Sequence, residues 1–350
     1  MHILHIVGAR PNFMKAAPLM RALQLRGIRQ TLVHSGQHYD ANMSDIFFEQ
    51  LAMPAPDVNL AVGAGSHAQQ TGEIMQRLEP VVLERKPDLL VVYGDVNSSV
   101  AGALVCAKLL VPVAHVEAGL RSFDRTMPEE INRLLTDQIS ALLFTPSRDA
   151  DENLLREGIP AEKIRLVGNI MIDTLVALLP AARGHLPGDL PPRYVLVTLH
   201  RPGNVDDEVF MNQIFETLAE ISRHIPVIFP VHPRTRQRME GRAASDGDLR
   251  LMPPLSYLSF LALQQRASAV VTDSGGIQEE TTFLGIPCLT VRENTERPVT
   301  ITLGTNILVG RDMQRLRDQL EDILRNGGKA GTVPPLWDGH TAERIAAQIG

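Results

Sequence analysis

The chain contains little cysteine, few aromatic side chains and no long apolar segment. Its 350 residues include two cysteines and one tryptophan, and aromatic residues make up 4%. Cys106 and Cys288 lie in apolar segments without a CxxC motif, which excludes a disulfide framework and indicates buried, reduced thiols in a reducing compartment. No apolar run approaches the ~20 residues that a membrane-spanning helix needs, and the N-terminal segment lacks the basic start of a secretory signal. We therefore expect a cytoplasmic protein with no membrane partner.

The chain also lacks an excess of positive charge. Its formal net charge is −6 and its isoelectric point is near 6.0, which disfavours binding to nucleic acid through bulk electrostatics. Any anionic ligand must therefore be held by local groups. The apolar fraction of 44% and the charged fraction of 21% are typical of a globular protein. The length allows two domains, each with its own core.

Several motifs that would identify a cofactor or a metal are missing. The first predicted strand is not followed by GxGxxG, and no P-loop, nucleophile elbow or HExxH sequence occurs. The histidines do not have the clustered spacing of a zinc site. We therefore expect neither a dinucleotide cofactor nor a bound metal.

Short apolar runs alternate with helical patterns along the whole chain. Runs that are apolar on both faces and separated by helices are typical of parallel sheets in doubly wound α/β domains. Two sets of about six strands imply two Rossmann-like domains. The predicted strands are residues 3–7, 30–34, 89–93, 112–116, 142–145, 164–167, 194–198, 227–230, 249–251, 269–272, 288–291 and 307–309, and helical patterns include 15–25, 209–222, 256–265 and 341–349.

The domain boundary is predicted after Gly168, which gives an N-terminal domain of residues 1–168 and a C-terminal domain of residues 169–340. A turn-rich stretch at residues 326–339 precedes the last helix, and our hypothesis is that residues 341–350 pack back on the first domain. Open α/β sheets bind ligands beyond the carboxyl ends of their strands. With two such domains facing each other, the cleft between them is the expected site.

The most informative segment is Ser274-Gly275-Gly276, where a β-branched run ends and a helical pattern begins. Free N–H groups at such a helix start, approached closely because glycine has no Cβ, suit a phosphate. A carboxylate one turn further on could bind the two hydroxyls of a ribose. The alternative is that Glu279 and Glu280 only complement the helix dipole, with Glu279 in an N3-like position.

Charged side chains follow several strands of the first half. Arg10 and Lys15 place two cations near a helix start, where they either bind phosphates or form a solvated loop pair. Asp95 is either a functional carboxylate or the N-cap of the next helix. Together with Glu117 and Glu129 it gives this half three carboxylates near one rim, and clustered carboxylates can act as general acids or bases.

The second half adds two histidines near strand ends. His200 directly follows a strand and His232 follows a later one, and each is as consistent with a structural role as with a functional one. In the first half, Gln37 and His38 are candidate ligand donors, although His38 would serve equally well in a loop cap.

Together these segments resemble the non-hydrolysing UDP-N-acetylglucosamine 2-epimerase family. Each block alone is weak, but the ordered set, which runs from residue 3 to about residue 310, is specific. The matching blocks are Gly8-Ala9-Arg10-Pro11 with Lys15, Gly94-Asp95, His115-Val116-Glu117-Ala118-Gly119-Leu120-Arg121, Pro128-Glu129-Glu130 with Asn132-Arg133, Thr198 with His200-Arg201, residues 273–280, and Thr295-Glu296-Arg297-Pro298.

The resemblance implies a fold like that of the GT-B glycosyltransferases, a homodimer, and a UDP-sugar bound between the two domains, of which the C-terminal one binds UDP. It implies a catalytic group of Asp95, Glu117, Glu129 and His200. It further implies that Ser274, Gly275 and Gly276 hold the diphosphate, that Glu280 binds the ribose, that Arg10 and Arg297 support phosphate charge, and that Lys15 and His232 contact substrate. Phe260 would stack on uracil, unless it is a core residue, the usual role of phenylalanine.

The chemistry implied is elimination followed by re-addition. A base removes the C2 proton while UDP leaves C1, and UDP then adds back to 2-acetamidoglucal as C2 is reprotonated on the opposite face. The product from UDP-N-acetylglucosamine is UDP-N-acetylmannosamine, a precursor for surface polysaccharide. After His200-Arg201 the chain runs Pro202-Gly203-Asn204 rather than the commoner Arg-Glu-Asn, so a related substrate, UDP-2,3-diacetamido-glucuronate, stays open. A GT-B glycosyltransferase, a hydrolysing relative and a non-catalytic nucleotide-sugar sensor are the competing interpretations.

Overall fold

A computed structural model describes residues 1–36, 51–231 and 247–350 of the chain. Contacts between α-carbons divide it into two compact units. The first consists of Met1–Thr174 and Pro335–Gly350, and the second of Leu175–Pro334.

The described residues of the first unit form a seven-stranded sheet in the order β3-β2-β1-β4-β5-β6-β7, and its paired strands are parallel. The strands are β1 (His2–Val7), β2 (Arg29–His34), β3 (Val58–Asn59), β4 (Leu89–Tyr93), β5 (Val113–Val116), β6 (Leu142–Thr145) and β7 (Ile164–Leu166). The helices are α1 (Arg10–Leu25), α2 (His67–Arg85), α3 (Asn97–Lys108), α4 (Pro128–Ile139), α5 (Arg148–Arg156) and, from the end of the chain, α13 (Thr341–Ile349).

The described residues of the second unit form a six-stranded parallel sheet in the order β10-β9-β8-β11-β12-β13. Its strands are β8 (Val195–Thr198), β9 (Val227–Pro230), β10 (Leu249–Met252), β11 (Ala269–Thr272), β12 (Cys288–Thr290) and β13 (Asn306–Leu308). Its helices are α7 (Pro202–Val205), α8 (Glu208–Ile221), α9 (Tyr257–Gln264), α10 (Gly275–Leu284), α11 (Val299–Thr302) and α12 (Met313–Asn326), and α6 (Ile170–Ala182) contains the unit boundary. Within the described ranges, no helix combines the length and the apolar character needed to cross a bilayer.

The central strands explain why the sheets are parallel. Every residue of β1, β4 and β11 is buried, so both faces of these strands are covered, as the helices of a doubly wound fold require. Two parallel sheets with alternating helices confirm the predicted fold class of two Rossmann-like units.

Two differences from the sequence prediction have local causes. Strand β3 was not predicted, because its two residues are partly or fully exposed and carry no hydrophobic pattern. Helix α1 begins at Arg10 rather than at residue 15. Pro11 stands at its start, where a fixed φ favours the first helical turn, and the Asn12 side chain accepts hydrogen bonds from the N–H groups of Gly8 and Ala9, at 3.1 and 3.0 Å.

The end of the chain packs within the first unit. Both carboxylate oxygens of Asp173 accept hydrogen bonds from the first N–H groups of α13, those of Thr341 at 3.1 Å and Ala342 at 2.7 Å. The buried indole of Trp337 donates to the carbonyl of Pro146 at 2.9 Å. The sequence prediction put the domain boundary after residue 168, whereas the α-carbon contacts put the unit boundary inside α6.

Candidate active site

In each unit, predicted functional residues follow the carboxyl ends of adjacent strands. The strand order reverses between β1 and β4 in the first sheet, and between β8 and β11 in the second. Open α/β sheets bind ligands at such switch points. Arg10 and Asp95 follow β1 and β4, and His200 and Asp273 follow β8 and β11.

Lys15 and Glu117 form a buried ion pair at this edge of the first sheet. Nζ of Lys15, on α1, contacts Oε2 of Glu117, and the two side chains are 6% and 4% exposed. A Cβ at Gly94 would lie 2.7 Å from Nζ of Lys15 and 3.0 Å from Oε2 of Glu117. Glycine at residue 94 therefore leaves the space in which the pair forms, and Lys15 is not a solvated loop side chain.

Glu117 has an unusual backbone conformation. Its φ of +73° lies in the left-handed region, which costs a residue with a Cβ about 1–3 kcal/mol. The N–H groups of Glu117 and Ala118 both donate to the carbonyl of Phe144 on β6, each at 3.0 Å. Such strain persists where the surroundings enforce it, and it is concentrated at functional sites.

Asp95 is held by an arginine that the sequence analysis did not assign. Its carboxylate contacts Nη1 of Arg133 and the side chain is 27% exposed. Nη2 of Arg133 also lies 2.8 Å from Oε2 of the buried Glu130, which accepts a hydrogen bond from the N–H of Ser122 at 3.0 Å. Val96, not Asp95, is the N-cap of α3, so the capping interpretation of Asp95 is wrong.

The two other predicted residues of this unit, Arg10 and Glu129, are exposed. Arg10 is the first residue of α1, and Glu129 lies in the first turn of α4. An acid at that position also complements the helix dipole. Contact of either residue with a ligand stays a prediction.

A buried histidine supports the turn after β4. His115, on β5, has Nδ1 2.6 Å from Oδ1 of Asp137 and Nε2 2.9 Å from the carbonyl oxygen of Gly94. Asp137 also lies 2.7 Å from Nη1 of Arg121. Burial acts to raise the pKa of Asp137, but His115 and Arg121 together lower it below its ordinary value. His115 and Arg121 belong to a block on which the resemblance was based, whereas Asp137, on α4, could not be paired with them from sequence.

In the second unit, His200 is oriented by a buried carboxylate. Nδ1 of His200 lies 2.9 Å from Oδ1 of Asp273, and the imidazole remains 61% exposed while Asp273 is fully buried. Oδ2 of Asp273 also accepts hydrogen bonds from the N–H of Arg201 and from Nδ2 of Asn204, each at 3.0 Å. Burial raises the pKa of Asp273, but His200 and these donors lower it overall. A histidine held at one nitrogen by a carboxylate is suited to proton transfer or to donating to a ligand oxygen.

The start of α10 combines glycine with a close arginine. Ser274 is the N-cap, and α10 begins with Gly275. The guanidinium of Arg297 lies against Gly275, and its Nε is 2.7 Å from Oε1 of the buried Glu279. With Ser274 as the N-cap, the N3 position is Ile277, so the N3-like interpretation of Glu279 is wrong, and Glu279 instead pairs with a specific cation.

Further arginines surround Glu296 in the same region. Oε2 of Glu296 lies 2.7 Å from Nη2 of Arg292, and Oε1 contacts Nη1 of Arg297 and lies 3.8 Å from Nη2 of Arg201. Burial and the nearby charge of Arg292 lower the pKa of Arg201. Three guanidinium groups thus gather beside a helix start whose free N–H groups also attract anions.

Glu280 is buried one turn inside α10. Oε1 accepts a hydrogen bond from the hydroxyl of Tyr257 at 2.8 Å, and Oε2 is buried with no hydrogen bond to the described residues. Burial raises the pKa of Glu280 to about 7, against the opposing effects of Tyr257 and Gln264. This carboxyl can accept further donors.

The remaining predictions have different outcomes. Phe260, on α9, is partly buried and packs against an apolar cluster that includes Leu263 and Ile286, which favours its core interpretation. Three other candidate residues lie outside the described ranges, namely His232, Gln37 and His38.

The two parallel sheets with alternating helices define an α/β protein of the GT-B-like class. The family model of UDP-N-acetylglucosamine 2-epimerase matches residues 21–350. The chain belongs to this family, which confirms the resemblance noted from the sequence.

The similarity to individual relatives extends over nearly the whole chain. The chain is 44% identical to UDP-N-acetylglucosamine 2-epimerase of Methanocaldococcus jannaschii, covering 97% of this chain and 96% of the relative. It is 46% identical to UDP-2,3-diacetamido-2,3-dideoxy-D-glucuronate 2-epimerase of Pseudomonas aeruginosa, covering 100% and 99%. A crystal structure of the M. jannaschii enzyme with UDP-GlcNAc and UDP has a TM-score of 0.90 at 42% identity, covering 100% of this chain and 99% of that one.

Proposed function

We propose that this protein interconverts UDP-N-acetylglucosamine and UDP-N-acetylmannosamine by inverting C2 of the hexose. The observation that carries the proposal is the Lys15–Glu117 pair beside Gly94, with Asp95 following the same turn. A glycosyltransferase or a nucleotide-sugar sensor would not need several carboxylates at this edge of the first sheet. We further propose that the enzyme is a cytoplasmic homodimer that supplies surface polysaccharide synthesis.

Elimination needs a base at C2 and charge stabilisation for the departing diphosphate. The base takes the C2 proton as the C1–O bond to UDP breaks, which leaves 2-acetamidoglucal. UDP then re-adds at C1 while an acid returns a proton to the opposite face of C2. Asp95, Glu117 and Glu129 differ in surroundings, from the buried Glu117 to the exposed Glu129, and such differences allow carboxyl groups to serve as both acid and base.

The second unit supports the nucleotide-binding part of the proposal. Ser274, Gly275 and Gly276 would hold the diphosphate through N–H groups of α10, with Arg297 neutralising charge. Glu280 would accept the ribose hydroxyls. Its Oε2, which is buried and has no hydrogen bond of ordinary geometry within the described residues, supports this role. His200, oriented by Asp273, would act as a proton donor or a hydrogen-bond donor in the same reaction.

One alternative substrate has a specific observation in its favour. The P. aeruginosa relative, named for UDP-2,3-diacetamido-2,3-dideoxy-D-glucuronate, is 46% identical over this whole chain. The sugar preference is therefore tested with both substrates.

The experiment is incubation with UDP-N-acetylglucosamine in D2O, followed by NMR of the sugar. We expect deuterium at C2 and the appearance of UDP-N-acetylmannosamine. Exchange only with the diacetamido-glucuronate substrate would favour the alternative, free N-acetylmannosamine would indicate hydrolysis, and no exchange with either substrate would contradict epimerase activity.

A further inference from the structure

The contact between α9 and α10 contains buried polar atoms that the fold does not satisfy. Glu280 is 3% exposed and Gln264 is fully buried. Within the described residues, Oε2 of Glu280 and the amide atoms of Gln264 have no partner at ordinary hydrogen-bond distance and angle, although the Gln264 side chain interacts with the Glu280 carboxyl and lowers its pKa. Buried polar groups in native proteins are nearly always hydrogen-bonded, so these atoms indicate that further donors and acceptors belong at this position.

The hydroxyl of Tyr257 determines which part of Glu280 is already engaged. Tyr257 is the first residue of α9 and is 9% exposed. Its Oη donates to Oε1 of Glu280 at 2.8 Å. Because this bond engages Oε1, it restrains the orientation of the carboxylate and leaves Oε2 for another donor.

We propose that Tyr257 is a positioning residue that orients Glu280 for the 2′- and 3′-hydroxyls of the nucleotide ribose. The inference rests on the proposed function, since it needs Glu280 to face a ribose. Tyr257 itself does not touch the ligand in this arrangement. It acts by holding the carboxylate in the rotamer that accepts both hydroxyl groups.

The test compares UDP with 2′-deoxy-UDP by isothermal titration calorimetry on the wild-type protein and the variant Tyr257→Phe. The wild-type protein should prefer UDP. Tyr257→Phe should weaken UDP binding about tenfold, the change produced by about 1.4 kcal/mol, and should alter 2′-deoxy-UDP binding less than about threefold, so that most of the preference is lost. A purely structural defect would weaken both ligands alike.

Tyr194→Phe is the matched control. Its hydroxyl donates to the carbonyl of Leu263, also on α9, at 2.7 Å, and the residue is 1% exposed. This variant removes a buried tyrosine hydroxyl bonded to the same helix without touching Glu280. It should keep the wild-type preference for UDP.

A second variant keeps the inference testable if Tyr257→Phe does not fold. If Tyr257→Phe is unstable because Oε1 of Glu280 is left unpaired, the double variant Tyr257→Phe/Glu280→Gln removes the buried charge as well. Its preference for UDP over 2′-deoxy-UDP should equal that of Glu280→Gln alone, since Tyr257 acts only through the carboxylate. An additional loss of preference in the double variant would overturn the inference.

Failure of this inference can be distinguished from failure of the proposed function. A wild-type preference for UDP that Tyr257→Phe retains would overturn the inference and leave the proposed function intact. A wild-type protein that shows C2 exchange but no preference for UDP would also overturn the inference alone. Absence of any UDP binding would overturn both.

Discussion

The two units have the same kind of sheet and carry opposite chemistry at their switch points. In the first unit the side chains after β4 and β5 are carboxylates, each paired with a cation. In the second unit the segment after β11 opens a helix with two glycines, and arginines surround it. The comparison teaches that the Rossmann-like fold fixes where such side chains stand, whereas the residues at the strand ends set the chemistry that we propose for each unit, proton transfer in the first and phosphate binding in the second.

The largest loss of C2 exchange is expected when one acid of the first unit is replaced. Asp95→Asn and Glu117→Gln should each lower C2 deuterium exchange at saturating substrate by at least about a hundredfold, since general acid–base catalysis contributes about that much or more. The dissociation constant of UDP should change little, because most of the proposed nucleotide contacts belong to the second unit. Exchange is measured by NMR and binding by calorimetry.

Glu152→Gln is the control for these variants, because this glutamate is 69% exposed on α5 and pairs only loosely with Arg156, at 3.9 Å. It should retain full exchange. Loss of UDP affinity without loss of exchange in Asp95→Asn or Glu117→Gln would reverse the roles assigned to the two units.

Gly94→Ala should lower kcat by moving the Lys15–Glu117 ion pair, without changing the charge of any side chain in the first unit. The new Cβ would lie 2.7 Å from Nζ of Lys15, so the Lys15–Glu117 pair must move. A displacement of about 1 Å at a reacting group can cost on the order of a hundredfold in rate, and we expect kcat to fall while KM changes little.

Gly158→Ala provides the matched control for Gly94→Ala. Its φ of +81° imposes a comparable backbone strain, but no atom lies within 4 Å of the added Cβ. An equal loss of kcat in both variants would attribute the effect to backbone strain rather than to the ion pair.

Gly275→Ala is the corresponding change in the second unit. The added Cβ would lie 2.8 Å from Oε1 of Glu296 and closer still to Arg297. We expect UDP affinity to fall on the order of tenfold, with kcat at saturating substrate largely retained. Gly184→Ala, where the Cβ meets nothing within 4 Å, should leave calorimetric UDP binding unchanged. If Gly275→Ala lowered kcat and left UDP affinity unchanged, the proposed nucleotide-binding role of the second unit would be contradicted.

The smallest effect concerns pH. With a pKa of about 7, Glu280 is mostly neutral below pH 7, whereas ribose hydroxyls donate best to the carboxylate. Binding should therefore lower this pKa and release a proton, so that affinity for UDP-N-acetylglucosamine at pH 6 is about tenfold weaker than at pH 8. The measurement is calorimetry in the Asp95→Asn background, which prevents turnover.

Glu280→Gln in that background should remove most of this pH dependence. Glu279, Tyr257 and Gln264 are the groups that influence the carboxyl, and the substitution leaves them in place. A slope that persists in Glu280→Gln would assign the titration to another group.

Local signals made much of the fold and part of the candidate site predictable. Apolar runs bounded by turns located most strands of both sheets, and Ser274-Gly275-Gly276 could be read as a helix start because strand, turn and helix are consecutive in sequence. The pairing of Asp95 with Arg133 was hidden, because the partners are distant in sequence and only the folded sheet brings α4 to the end of β4. The same holds for Glu280 and Tyr257, whose helices are separated by β11.

The sequence was least informative where one residue type serves two purposes. Asp95 fits an N-cap as well as a catalytic acid, and only the contact with Arg133 and the capping position of Val96 separate these interpretations. Phe260 fits a base-stacking position or the core, and its packing favours the core. Conformational strain at Glu117 has no sequence signal, because it arises from how the turn meets β6.

The central claim is that the first unit supplies the acids for C2 proton transfer and the second unit supplies most of the nucleotide contacts. It is tested most directly by measuring C2 deuterium exchange against substrate concentration for Glu117→Gln and Arg297→Gln side by side. The claim predicts that Glu117→Gln binds UDP-N-acetylglucosamine normally but exchanges C2 at least about a hundredfold more slowly than the wild-type protein at every substrate concentration, while Arg297→Gln recovers substantial exchange once substrate is raised. Recovery of exchange in Glu117→Gln at high substrate, or its complete absence in an Arg297→Gln protein saturated with substrate, would contradict it.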